Sequence, residues 1–133
     1  MTDAEAVLKA ADTIAVVGLS RDPAKAAHSV PAAMQAAGFR IIPVHPTADE
    51  LLGEKVYRNL TDIPEPVDIV DVFRPAPETP TIAEQAVAIG AKALWLQQGI
   101  VSAEARRIAE AGGLHYVEDQ CIAVVRALGQ ITR

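Results

Sequence analysis

Cysteine occurs once, at Cys121. A single thiol excludes an intrachain disulfide framework, gives no zinc cluster and fits a reducing compartment. Basic residues are in deficit, with 12 Lys and Arg against 17 Asp and Glu and a formal net charge of −5. Sequence-independent nucleic-acid binding, which needs a basic face, is therefore not expected. No apolar run approaches the roughly 20 residues that cross a bilayer, and the N-terminus has no basic segment leading into an apolar core. Neither a membrane span nor a signal peptide is expected, and the expected location is the cytoplasm. Also missing are a G-x-S-x-G elbow, a Ser, His and Asp order that would nominate a triad, metal-ligand spacing, repeats and low-complexity tracts. What is present is 133 residues, half of them hydrophobic. That is enough for one compact domain over residues 1–133 and too little for two.

The organising stretch is residues 13–25, TIAVVGLSRDPAK. Residues 13–17 are uncharged and mostly β-branched, which predicts a strand buried on both faces. Gly18 permits a sharp turn, and Ser20, Arg21, Lys25 and His28 then gather before a helix whose free N–H groups and positive dipole end favour an anion. The dinucleotide fingerprint G-x-G-x-x-G keeps only its first glycine, because Ser20 and Pro23 occupy the other two slots. His45 stands where a NAD site wants an acidic residue on the ribose. The loop reads as a phosphate cradle for a ligand other than NAD.

The remaining pattern alternates strand and helix. A helix over residues 2–11 opens on a capping box of Thr2 and Glu5. A second helix is expected to start near Ser29, with Pro31 in its first turn and Gly38 at its end. Strands are expected at 39–44, 67–73, 93–97 and 114–117, with a weak helical turn and short strand divided by Gly53. Helices begin at Thr79-Pro80, after Ser102 and near Cys121. This order predicts an α/β fold, a Rossmann-like doubly wound, mainly parallel five-stranded sheet with helices on both faces. In such sheets ligands sit beyond the carboxyl ends of the strands. That rule collects Gly18 to His28, Val44-His45-Pro46, Phe73-Arg74-Pro75 and Gln98-Gly99 on one rim. Arg21, Lys25, His28, His45 and Arg74 make that rim positive in an otherwise acidic chain, and Phe73 and the prolines offer stiff apolar walls.

Residues 17–23 (VGLSRDP), 43–46 (PVHP), 57–60 (YRNL), 63–74 (IPEPVDIVDVFR), 95–99 (WLQQG) and Cys121 together resemble the small CoA-binding proteins. Those in turn are similar to the CoA-binding domain of the succinyl-CoA synthetase alpha subunit. The resemblance covers nearly the whole chain and implies a Rossmann-like domain holding coenzyme A. It puts phosphates near Gly18, Ser20, Arg21 and Lys25, and adenine or pantetheine near Val44, His45, Pro46, Phe73, Arg74 and Pro75. His45 departs from the Asn frequent there. The histidine that the synthetase phosphorylates belongs to a second domain, so ligase activity is not expected.

The expected function is non-catalytic binding of coenzyme A or an acyl-CoA, with no metal and no catalytic residue. The rivals are a NAD or other adenine-nucleotide domain of an enzyme, and a regulatory interaction module with a vestigial ligand site. A homo-oligomer or protein partner stays open. Bland readings accompany the site residues: Ser20 satisfying its own turn, Arg74 holding neighbouring loops together, Asp71 as a hydrogen-bonded buried group and Cys121 as inert packing.

Overall fold

The computed structural model describes residues 3–133; Thr2, the expected capping residue of the first helix, lies outside that range. Five parallel strands form the central sheet: β1 (Thr13–Val17), β2 (Arg40–Val44), β5 (Ile69–Val72), β6 (Ala93–Leu96) and β7 (His115–Val117), in the order β2-β1-β5-β6-β7. The side-chain alternation of these strands feeds two cores. On one face Ile14, Val16, Ile69 and Trp95 pack with residues of α1 (Asp3–Lys9), α2 (Ala26–Ala36) and α5 (Ile122–Leu128). On the other face Ala15, Val70, Val72, Leu94 and Leu96 meet α3 (Thr79–Ala88) and α4 (Ala103–Ala111). Full burial of each large aliphatic side chain contributes roughly 1.5–3 kcal/mol. Trp95 is fully buried and donates its indole N–H to the Gln120 carbonyl at 2.8 Å, which satisfies its polar edge. No helix among the described residues is long and apolar enough to cross a membrane.

Three local expectations are corrected. α2 begins at Ala26, not after Ser29, so Pro31 sits inside the helix. A proline there cannot donate to the carbonyl of Ala27 four residues back; that carbonyl instead accepts the Ser20 N–H at 3.0 Å. The weak segment around Gly53 is an antiparallel hairpin, β3 (Glu50–Leu51) with β4 (Glu54–Lys55), and has no helical turn before it. Leu52 and Gly53 both have positive φ, 54° and 74°, as a tight primed hairpin turn requires. The first helix is also shorter than expected, ending at Lys9. Pro43 is tolerated in β2 because this is an edge strand. Its carbonyl faces outward, accepting the Tyr57 N–H at 3.0 Å, so its missing N–H also points away from β1.

After β1 the chain crosses on one face to β2, and after β5 it crosses on the other face to β6. The loops leaving β1 and β5 therefore diverge, which makes the carboxyl end between them the switch-point crevice.

Candidate functional site at the carboxyl ends of the strands

Gly18 sets how closely these loops approach. Its φ is +91°, and a Cβ added there would lie 2.8 Å from Arg74 Cδ and 3.1 Å from the Phe73 carbonyl oxygen. Its N–H donates to the Val44 carbonyl at 3.1 Å, so one glycine ties the ends of β1, β2 and β5 together. Leu19 is fully buried and anchors the start of the loop that leads to α2.

The loop between Leu19 and α2 satisfies much of its own backbone. Ser20 Oγ accepts the Asp22 N–H at 3.0 Å, Asp22 Oδ1 accepts the Ala24 N–H at 2.9 Å, and the Lys25 N–H donates to the Asp22 carbonyl at 3.0 Å. His28 donates from Nδ1 to the Ser20 carbonyl at 2.7 Å. Four amides of the expected cradle, those of Ser20, Asp22, Ala24 and Lys25, are thus engaged within the loop and its helix. Donors left for an anion include the exposed Arg21 and Lys25 side chains and the opening amides of α2 at Ala26 and Ala27. Lys25 is the N-cap residue and provides no side-chain cap, so those amides keep the partial positive charge of a helix start.

The second loop is built on His45. Its Nδ1 accepts the N–H groups of Thr47 and Ala48 at 3.1 and 3.0 Å, the bonding an Asx side chain makes to amides ahead of it. Burial, then the positive charges of Arg21, Arg58 and Arg74, push the imidazole pKa below its ordinary value. The ring is neutral at pH 7, with its proton on Nε2. Arg58 was not expected in the site; it donates to the carbonyls of His45 and Ala48 and pairs with Asp49 at 2.8 Å. Arg21 spans the two loops, donating to Thr47 Oγ1 at 3.2 Å. Arg74 forks onto Glu78 at 3.1 and 2.8 Å, while its stem lies against Gly18. Val44 is buried, and Pro46 and Pro75 stand exposed on the rim.

Beside the start of α2 lies a cavity of about 190 Å³. Ala26, Ala27, Val30, Phe73 and Ile100 provide apolar wall, and Gln97, Gln98 and Cys121 provide polar groups. Of the residues expected near the phosphates, adenine or pantetheine, Phe73 lines it, beside Ala26, Ala27 and Gln98 of the expected rim. Gln97, at the end of β6, is 4% exposed; its Nε2 donates to Asp71 Oδ1, and its Oε1 accepts the Ile122 N–H at 3.3 Å. The buried Asp71 pairs in register with Trp95, two residues before Gln97. A glutamine ending an apolar strand is the sequence signal for this contact. Burial pushes the Asp71 pKa up to about 7, with the Gln97 hydrogen bond opposing it. Among the described residues Asp71 Oδ2 has no hydrogen-bond partner.

A cationic rim, a helix start with free amides and an apolar cavity with a polar end suit a ligand that is anionic at one end and neutral at the other. The sequence family described as CoA binding domain matches residues 12–127. The chain belongs to this CoA-binding domain family. The uncharacterized protein YneT of Bacillus subtilis (strain 168) is 43% identical over 122 residues, covering 92% of this chain and 90% of its own. A Thermus thermophilus structure, cell-free ID.343, has a TM-score of 0.90 at 38% identity and covers 97% of this chain and 99% of that one. The ADP-forming acetate–CoA ligase II of Archaeoglobus fulgidus is 31% identical over 100 residues, 74% of this chain and 15% of the ligase. The CoA-binding domain here thus has relatives of its own length and a counterpart within a much longer ligase.

Proposed function

We propose that this CoA-binding domain binds coenzyme A or an acyl-CoA at the carboxyl ends of β1, β2 and β5 and catalyses no reaction by itself, in the cytoplasm. The observation that carries the reading is a juxtaposition: Lys25 and the opening amides of α2 adjoin Ala26 and Ala27, which line the 190 Å³ cavity. Arg21, Lys25 and those amides meet the phosphates, Val44 to Pro46 and Phe73 to Pro75 flank the adenine or the pantetheine, and the thiol end of the pantetheine arm reaches the cavity. Gly18 and Ser20 shape the loop and Arg74 braces it. The non-catalytic part of the reading follows the sequence, which offers no triad, elbow or metal-ligand spacing. His45 and His28 use Nδ1, and Arg74 and Arg58 their guanidinium groups, to hold the loops together.

Thermal unfolding with CoA, dephospho-CoA, NAD and ATP tests the proposal. A ligand at about 100 times its Kd stabilises by roughly 2.7 kcal/mol. CoA is expected to raise Tm clearly, dephospho-CoA less, and NAD and ATP little. Stabilisation by NAD without stabilisation by CoA overturns the reading.

A further inference from the structure

The cavity restricts what the bound coenzyme carries. Its volume, about 190 Å³, exceeds the roughly 150 Å³ of an engineered cavity that admits benzene. There is room for a terminal thiol bearing a short acyl group. None of the described residues that line it is Lys, Arg or His, and the amides of Ala26 and Ala27 are taken by the phosphates in the proposed site, so a carboxylate entering the cavity would lose water and find no cation. Beneath it stands a carboxyl group. Asp71 is 1% exposed, hydrogen-bonded through Gln97 to the cavity wall, with Oδ2 unpartnered among the described residues.

Resting on the reading of the site as a coenzyme A site, we propose that the cavity accepts the free thiol or a short uncharged acyl thioester, and that Asp71 excludes acyl groups ending in a carboxylate. Gln97 is the intermediary. Its amide N–H holds Asp71 and its carbonyl holds the Ile122 N–H at the start of α5, so Gln97 is fixed at both ends and sets where Oδ1 of the carboxyl group lies relative to the wall.

Butyryl-CoA and succinyl-CoA are matched in length and differ in a terminal methyl against a carboxylate, so calorimetric titration with CoA, butyryl-CoA and succinyl-CoA isolates the charge. At about pH 8 Asp71, with its pKa near 7, is ionised. CoA and butyryl-CoA are expected to bind within about threefold of each other and succinyl-CoA at least about tenfold more weakly. Asp71→Asn should narrow that ratio by about threefold or more. Gln98→Lys, a change at an exposed position of the lining, should raise succinyl-CoA affinity relative to butyryl-CoA by about fivefold, and it serves where Asp71→Asn does not fold. Equal affinity for the two acyl forms in the unaltered protein, or a ratio that these variants leave unchanged, overturns the inference. No binding of CoA itself would overturn the proposed function as well, whereas CoA binding without acyl discrimination overturns this inference alone.

Discussion

The sheet has a hollow at each end, and the larger one is the less suited to a ligand. At the amino ends of the strands a cleft of about 590 Å³ is lined by Asp68, Lys92, Arg106, Glu110 and His115 among others. Its cations have counter-charges nearby: Lys92 lies 3.8 Å from Asp68 and Arg106 3.6 Å from Glu110. Asp68 is further committed to the backbone amides of Asp12 and Thr13. At the carboxyl ends the cavity is about a third as large, yet Arg21 and Lys25 make no ion pair among the described residues. Unneutralised charge beside apolar wall, rather than volume, distinguishes a site for an anionic coenzyme.

The contrast breaks most sharply at Asp71. Its folded pKa is raised from 3.8 to about 7, so the stability it contributes is complete below the unfolded value and lost as pH rises through the folded one. Asp71→Asn keeps an acceptor for Gln97 and removes that loss. Denaturant titration should show it more stable than the parent by up to about 4 kcal/mol above pH 7, three pH units at about 1.4 kcal/mol each, with the advantage vanishing near pH 4. A pH-independent difference would contradict the burial account.

Gly18→Ala comes next. A non-glycine residue in this region of φ costs about 2 kcal/mol, and its Cβ would press on Arg74 and the Phe73 carbonyl. Lower Tm together with weakened CoA binding is expected; full stability would mean that the loops can separate freely.

Arg21→Ala and Lys25→Ala alter exposed side chains, so each should weaken CoA binding by about tenfold, or 1.4 kcal/mol, with Tm nearly unchanged. Titration calorimetry at two salt concentrations would also show a shallower salt dependence. Unchanged affinity in both removes them from the phosphate site. The smallest effects belong to the opposite end: Lys92→Ala and Arg106→Ala should leave CoA affinity alone and shift stability by under about 0.5 kcal/mol. Loss of CoA binding in either would move the site to the larger cleft.

Much of this architecture was legible in the residues. The uncharged run at β1 matches the observed strand from Thr13 to Val17, and Ser102 caps α4 by accepting the Ala105 N–H at 3.1 Å. The start of α2 was not legible, because Pro31 signals a first turn unless another donor reaches the Ala27 carbonyl, and that donor is Ser20, seven residues before Ala27. Arg58 and Gln97 escaped for a related reason. Arg58 acts on a loop ten or more residues away and Gln97 on the neighbouring strand, and such pairings exist only after the sheet has assembled. The strand-end rule collects the rim from the residues alone, whereas the proposal of coenzyme A as its ligand draws on the family resemblance.

One detail of α2 reaches beyond helix geometry. By withholding an amide, the imino acid at 31 reserves the Ala27 carbonyl for the preceding turn, which fastens that turn to the helix before any coenzyme arrives. Less disorder then has to be frozen out on association, so Pro31→Ala would slacken the grip on the coenzyme without touching it.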